Sequence, residues 1–496
     1  MVSPHGIKLA VHLISAYFGD IVSKVCECLL RNGTLSLQQV LRFTELNKEN
    51  ATNALLVLIQ HNCVQAFSIE QQGGFMEQPK MVTHYMALHD NIIHLMRFSK
   101  FLAIISDEFG QECMEIFEGL LQHGRLSMNQ IVDRYKDKHK SHTSKENSTA
   151  ANVAHENFNK LAQAHYIERC PASEPYLESE KEDDTAGKKK TAKSKTNDPS
   201  QTLEARALAA ATPMESIRFL VEADTFTNGA PDENTKKTST TEIVGEKCCI
   251  THMTTRMDNV AGIVLSAIFE ATRRDETKVK MENTVPLPMD RIYEEAIKRE
   301  EGRSLSLERV RDSLVQLGCE VPIIGLDETY SIDLKKIIDE AQAQEVESVV
   351  LKKYGREAYR IFRLLLQSKR LCETDQIWMA TFVDKKDALK ILFQLWKDDL
   401  LHMERVANEG QKLESLCWKL NKVSVWEQVL DDMYHAALNL KLRLVHELEQ
   451  AKEILRKGKS VGDQVLAKRK KVGEKWEVLD SSLMILDDAI MLFHDF

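Results

Sequence analysis

No apolar run in these 496 residues reaches the roughly 20 that a membrane-spanning helix needs, so no bilayer segment is expected. A secretory signal is missing as well, because Lys8, His12 and Asp20 interrupt any apolar core near the start. The ten cysteines lack metal-site organisation. The close pairs are Cys26–Cys28 and Cys248–Cys249; neither is a C-x-x-C, and no second pair sits at zinc spacing. Most lie in apolar periodic segments and act there as small hydrophobes, which fits a reducing compartment, cytosol or nucleus. An excess of positive charge is missing too: the formal net charge of -9 argues against a dedicated nucleic-acid coat but leaves local basic faces open. Catalytic signatures are the last absence. Gly33 and Gly124 read as helix caps, outside any phosphate-loop or dinucleotide pattern, and there is no G-x-S-x-G or H-E-x-x-H. The 16 histidines are dispersed, and His12, His61, His84, His89 and His94 read as cap, surface or core residues. Glu340–Glu347 and Asp398-Asp399 read as solvated surface, so no acid–base constellation forms. A non-catalytic chain without cofactor or metal is expected.

What is present is a repeat. FGDIVSKVCECLLRNGTLSLQQV (18–40) and FGQECMEIFEGLLQHGRLSMNQI (109–131) share 9 of 23 positions at an offset of 91. In the first copy, Phe18, Ile21, Val22, Val25, Leu29 and Leu30 fall at helical spacing, and Asn32-Gly33 ends the helix. A short helix succeeds it over Gln38–Phe43, then a third from about Lys48 to Gln60 with Ala51, Ala54, Leu55, Leu58 and Ile59 inward. Val64–Ile69 alternates like a strand, Gln71–Gly74 turns, and a second strand is expected near Met81–Tyr85. That order is the winged-helix form of helix-turn-helix. The second copy adds a polar insertion, DKHKSHTSKENS, before its third helix, and its wing is expected to be short or to merge into a linker. YGREAYRIFRLLLQSKRL (354–371) is a further copy, matching 9 of 18 positions of residues 109–126, with a third helix at Asp384–Trp396 and a strand at Leu400–Met403. A weaker copy spans 250–335, with helices near Met257–Ala271, Asp290–Lys298 and Leu305–Leu317 and a wing at Cys319–Ile324 and Glu328–Ile332. Such units are long enough to bury their own cores, and the shared residues are mostly apolar, so the repeat speaks of packing before chemistry.

Between the pairs, the polar stretches ESEKEDDTAGKKKTAKSKTNDPS and TNGAPDENTKKTSTTE read as disordered, with a possible helix at Leu203–Glu222 that docks on a neighbour. At the end, Trp426, Leu430, Met433, Ala437, Leu440 and Leu444 alternate spacings of four and three, continued by Leu448, Ala451 and Leu455. Lys457–Gly462 breaks this seam, and Trp476, Leu479, Leu483, Leu486, Ile490 and Phe493 form a second. An antiparallel coiled-coil hairpin is expected. The resulting architecture is mainly α: winged helix 1 (1–88), winged helix 2 (89–178), a charged linker (179–248), winged helix 3 (249–345), winged helix 4 (346–422) and the hairpin (423–496).

Two basic clusters are candidate sites. Lys188, Lys189, Lys190, Lys193 and Lys195 form a nuclear import or nucleic-acid signal, or else a solvated linker. Lys352, Lys353, Arg356, Arg360 and Arg363 line one side of a helix opposite Ile361, Phe362, Leu364 and Leu365, with Lys369 and Arg370 after them. That face suits phosphates or an acidic partner, or is ordinary surface. The third helices of the first two copies expose Lys48, Glu49, Asn50 and Asn53, and Asn152, His155, Glu156 and Asn159, which are polar rather than basic.

Taken in order, ALLVLIQHNCV (54–64), LAQAHYIERCP (161–171), ESVVLKKYGREAYRIFRLLLQSKRL (347–371) and LDSSLMILDDAIMLF (479–493) resemble the RNA polymerase III-specific subunit of the initiation heterotrimer, a family related to general transcription factor IIE alpha. The resemblance implies a nuclear, non-catalytic subunit that joins two other members of the heterotrimer. It further implies a seat on the clamp of the largest subunit and contact with the initiation factor bound upstream. Single-stranded or non-specific DNA binding is implied too, with a role in promoter opening at tRNA, 5S rRNA and other small-RNA genes. A scaffold in another complex and a free sequence-specific transcription factor are the competing readings; basic recognition helices would be needed for the latter.

Overall fold

The structure is a computed structural model that describes residues 2–71, 80–138, 144–164, 166–177, 202–213, 218, 250, 254, 258–274, 286–298, 302–319, 329–368, 370–407, 414–457 and 463–495. The chain divides into two compact units, Met1–Thr240 and Thr241–Phe496. Among the described residues no helix is long and apolar enough to cross a membrane. The Lys188–Lys195 cluster, Lys369 and most of the linker lie outside the described residues.

The first unit opens with helices α1 (Pro4–Phe18) and α2 (Asp20–Asn32), strand β1 (Leu35–Ser36), and helices α3 (Leu37–Thr44) and α4 (Lys48–Gln60). Strands β2 (Val64–Gln71) and β3 (Lys80–Ala87) complete the module. Helix α4 has the predicted bounds because Asn47 caps it, its side chain accepting from the Asn50 N–H at 2.9 Å. Strand β1 pairs with β3, and β3 with β2, so the segment between the first two helices closes onto the wing. Helices α5 (His89–His94) and α6 (Phe98–Phe109) lead to the second module: α7 (Gln111–His123), α8 (Met128–Lys138) and α9 (Ser144–Gln163). The insertion expected before that third helix is helical at both ends, since α8 runs to Lys138 and α9 starts at Ser144.

One backbone device recurs. Gly19, Gly110 and Gly355 adopt φ of 89°, 84° and 87° with ψ near 180°, a region open only to glycine. Each sits between a lead helix and the first helix of a module, turning the chain so that α1 packs on α2 and α6 on α7. The aromatic just before each glycine touches the far end of its module. Phe18 packs on His61 with centroids 4.5 Å apart, Phe109 on Tyr166 at 5.4 Å, and Tyr354 Oη donates to Asp398 at 2.8 Å. His61 and Asp398 are the C-caps of their third helices.

The second module has no wing of its own among the described residues. Ile167, which follows the third helix as Val64 does in the first module, lies in no strand. The chain instead crosses to the first module, where β4 (Tyr176–Leu177) pairs parallel with β2. Helix α10 (Leu203–Ala211) then covers that sheet, its Ala207 buried with Phe67, Met86 and Leu177. Of the helix expected over Leu203–Glu222, the part Leu203–Ala211 is present and docked, and residues 214–217 and 219–222 lie outside the described residues. The two modules also lock directly: the Arg125 N–H donates to the Gln60 carbonyl at 2.9 Å, Arg125 Nε to Asn62 at 2.8 Å, and Gln60 Nε2 to the His123 carbonyl at 3.0 Å. A Cβ on Gly124 would lie 2.1 Å from the Gln60 oxygen, so only glycine lets the modules approach this closely.

The second unit begins with α11 (Asn259–Arg274), β5 (Leu287–Pro288), α12 (Met289–Lys298), α13 (Leu307–Gln316) and β6 (Thr329–Tyr330). Their core includes Val264, Leu265, Ile268, Ile292, Val310, Leu314 and Tyr330. Strand β6 pairs with β5; the other expected wing segment, Cys319–Ile324, falls largely outside the described residues. Helix α14 (Leu334–Ser368) bends at Gly355 and leads to β7 (Cys372–Glu373), α15 (Thr374–Thr381), α16 (Lys385–Lys397), β8 (Leu401–Ala407) and β9 (Glu414–Leu420), the sheet running β7-β9-β8.

Two long helices end the unit, α17 (Lys422–Lys457) and α18 (Asp463–His494), packed antiparallel: Trp426 meets Phe493, and Lys475 meets Glu447. The seam differs from the expected one. Val425 and Val429 are buried in place of Trp426 and Leu430, and Leu448 and Trp476 are exposed. The reason is a second neighbour. Trp426 Nε1 donates to Gln342 Oε1 of α14 at 2.8 Å, and Gln342 Nε2 donates to the Leu492 carbonyl of α18 at 2.6 Å, so the base of α17 serves two faces.

Replacing Gly110 with Ala should cost about 1–3 kcal/mol, seen as a lower thermal midpoint of the first unit. Gly110→Asn should not rescue it, because ψ near 180° lies outside the left-handed basin that Asn tolerates. Acid should loosen the joint between the first two modules. Burial and then the neighbouring His123 hold the His61 pKa below its ordinary 6.5. A depressed base binds fewer protons folded than unfolded, so its contribution is complete above about pH 6.5 and is lost as pH falls through the folded value. Hydrogen-exchange protection at Gln60–Cys63, corrected for the pH dependence of the intrinsic exchange rate, should fall between pH 7 and 5 in the wild type, and less in His61→Gln.

Candidate functional site

The last module gathers the basic residues. Ala358, Ile361, Phe362 and Leu365 of α14 are buried in its core, which leaves Arg356, Arg360 and Arg363 together on the exposed side. The structure corrects one expectation: Lys352 and Lys353 are not on the same helix segment as the arginines. Gly355 breaks the helix between them, and ψ near 180° re-aims the chain. Lys353 lies 3.8 Å from Asp432 of α17 and over the Tyr354 ring at 5.7 Å, a contact inside this unit. Arg363 donates to Tyr359 Oη at 3.0 Å, and Tyr359 donates to Glu347 at 3.3 Å, tying the arginine face to the lead half of α14. Arg370 is exposed after the helix.

Sequence reasoning placed helix α16, expected over Asp384–Trp396, but passed over its charge. It occupies the position of a recognition helix and carries four lysines, Lys385, Lys386, Lys390 and Lys397, against Asp387 alone. Its counterpart α4 has one lysine and one glutamate, and α13 has two arginines against two acids. All four lysines are exposed. Lys385 pairs with Asp375 at 2.7 Å and Lys390 with Asp387 at 2.9 Å, so Lys386 and Lys397 are the less engaged cations. Just ahead of α16, Phe382 is 91% exposed at φ 55°. Glu45 has the same φ at the same place in the first module, so the turn and not the side chain sets this backbone. The signal that could have flagged its charge is local: KKDALKILFQLWK itself holds the four lysines.

The Cys63 and Cys319 thiols are poor nucleophiles. Burial pushes the Cys63 thiol up to about 12 and the Cys319 thiol to about 11.

Comparison with known proteins agrees with this division. The RNA polymerase III subunit RPC82 helix-turn-helix domain matches residues 8–68, from within α1 to within β2. The POLR3C C-terminal winged-helix domain matches residues 346–415, from the lead half of α14 to the start of β9. The chain is similar to the DNA-directed RNA polymerase III subunit RPC3 of Rattus norvegicus, 23% identical over 500 residues covering 92% of this chain and 86% of the relative. The human RPC3 is 23% identical over 492 residues, with the same coverage. The rpc3 of Dictyostelium discoideum is 29% identical over 187 residues, 35% of this chain and 28% of the relative. The family likeness read from the sequence therefore holds along nearly the whole chain.

Charge reversal of Lys386, Lys390 and Lys397 to Glu should weaken binding of non-specific DNA by tenfold or more at low salt, by about one decade of affinity per decade of salt for each lost phosphate contact. Reversal of Arg356, Arg360 and Arg363 should weaken DNA contact or subunit docking while the module stays folded, with a stability change near ±0.5 kcal/mol. Unchanged binding and unchanged assembly in both variants would refute the site.

Proposed function

We propose that this chain is a non-catalytic subunit of a nuclear DNA-directed RNA polymerase III. In this reading it is one of a heterotrimer that directs initiation and promoter opening at tRNA, 5S rRNA and other small-RNA genes. The observation that carries the reading is similarity to RPC3 over 92% of the chain, rather than over one module that many DNA-binding proteins share. In this reading the chain consists of four winged-helix domains (1–88, 89–178, 249–345 and 346–422), a linker (179–248) and a coiled-coil hairpin (423–496). Its partners are the other two members of the heterotrimer, the clamp of the largest subunit, the initiation factor bound upstream, and DNA.

The physical features support a held subunit over a free transcription factor. The third helices α4 and α13 are balanced in charge, and the net charge is -9, so sequence-specific affinity by this chain alone has little basis. Helix α16 and the Arg356–Arg363 face offer non-specific contacts. Weak contacts suffice when a large assembly holds the chain at DNA, because tethering raises the effective concentration. The hairpin, with Leu442, Val445, Val478 and Ile485 exposed, would face the assembly.

Affinity purification of the tagged full chain from nuclear extract should recover RNA polymerase III subunits in near-equal amounts. Recovery of another complex, or of the chain by itself, would overturn the assignment. Deletion of residues 423–496 should reduce that recovery; full retention would remove the hairpin's role.

A further inference from the structure

Three copies of the module can be compared at one position inside their first helix. Gly119 of α7 corresponds to Cys28 of α2 and to Leu364 in the second half of α14. Cys28 is buried and Leu364 half-buried, and of the three the second module alone has no side chain there. Glycine is a poor helix former, so its place in the interior of α7 needs a reason. Two common reasons do not apply. Gly119 is not among the positive-φ glycines, and a Cβ built on it meets nothing within 4 Å. What glycine leaves at this position is the space itself.

That space is a cleft of about 260 Å³ between α7 and α8. Ile116, Leu126, Ile131 and Tyr135 give it apolar walls. It is smaller than the roughly 300–1,000 Å³ of sites that enclose a drug-sized ligand, and it suits a single large side chain. The charges at its mouth are unequally engaged. Lys138 pairs with Glu118 at 3.5 Å, and the acids Glu115 and Asp137 already hold interactions of their own. Arg134 is exposed on the same rim and is in no hydrogen bond or ion pair among the described residues. Burial, and then Arg134 and Lys138, hold the pKa of His123 below its ordinary value, so the field on that side of the mouth is positive.

We propose that this cleft takes one large apolar side chain from an acidic segment of a partner polypeptide, with a carboxylate of that segment against Arg134. Such anchors, seated in a pocket that excludes water, carry much of the energy of an interface. The carboxylate adds a charge-assisted bond at the rim and fixes the direction of the segment. Gly119 supplies the room, α7 and α8 the walls, and Arg134 the charge. The equivalent place in the first module is closed to the same occupant. Cys28 fills it, and Phe43 stands where the second module has Arg134. The inference rests on the cleft and its rim and stands whether or not the assembly is a polymerase.

The test uses the full chain in the complex purified through a tag on it. A photo-crosslinker at Gln122, an exposed residue of the rim, should join an apolar residue that lies beside Asp or Glu in one partner. Gly119→Leu fills the cleft with the side chain of the last module and should lower the yield of that crosslink by about tenfold or more. Leucine is the better helix former, so the thermal midpoint of the free chain should be equal or higher, which separates loss of the contact from unfolding. Arg134→Glu leaves the cleft open and reverses the charge at an exposed position; it should lower the same yield, and Arg134→Lys should retain it. An unchanged yield in Gly119→Leu or in Arg134→Glu would overturn the proposal. So would the absence of any crosslink, or a crosslink to a segment without acids, to nucleic acid or to a second copy of this chain. Mass spectrometry of the complex reports its identity separately, so failure here and failure of the polymerase reading are distinguishable.

Discussion

The structure depends first on a single backbone conformation used three times. Gly19, Gly110 and Gly355 join two helices through φ near +85° and ψ near 180°, where any Cβ would meet its own backbone. The residue before each glycine is aromatic and reaches the end of the third helix: Phe18 to His61, Phe109 to Tyr166, Tyr354 to Asp398. The glycine sets the corner, and the aromatic closes the module across it. Each lead helix is thereby pinned to the module it precedes and is free on its other side to meet something else. The lead half of α14 uses that freedom to hold the base of α17 and α18.

Buried polar groups then orient the parts. Gln342 sits between α17 and α18 with its amide satisfied on both sides, by Trp426 Nε1 and by the Leu492 carbonyl. Glu447 is buried in the long helix pair and lies between Arg443 at 2.6 Å and Lys475 at 3.4 Å. Burying such groups gains little stability, but leaving them unpaired is costly, so they penalise any other register. The same reasoning applies where Gln60 accepts from and donates to the loop around Gly124. Hydrophobic burial assembles these helices; the amides and carboxylates decide how they sit.

One module thus serves several ends by changing its wing. The first wing is covered by the chain itself, the second module has none among the described residues, and the outer strand of the last pairs on one side alone among the described residues. Helix α16 adds positive charge to that last module alone. The same module is thus finished differently at each place in the chain.

In the first module the helices after Gly19 and both long wing strands were legible to within two residues, while lead helix α1, strand β1 and the break at Gly19 were not. Helix Lys48–Gln60 follows from its apolar spacing and its Asn47 cap, both local in the chain. The arginine face was legible for the same reason, since positions 356, 360 and 363 lie on one side of two helical turns. The break at Gly355 was not, because helical periodicity runs on past it and only the φ of one residue interrupts it. Strand β4 was beyond reach: two residues pair because β2 waits 108 positions earlier, Ser68 opposite Tyr176, and no local pattern encodes that. The shifted seam of α17 was hidden in the same way, since Trp426 answers to Gln342, 84 residues away. The sequence by itself determined the repeated helices, their caps and their charged faces, because these depend on neighbours within a turn or two. Only the tertiary structure decided which wing edge the chain itself covers, because an edge is satisfied by whatever strand the whole fold brings to it.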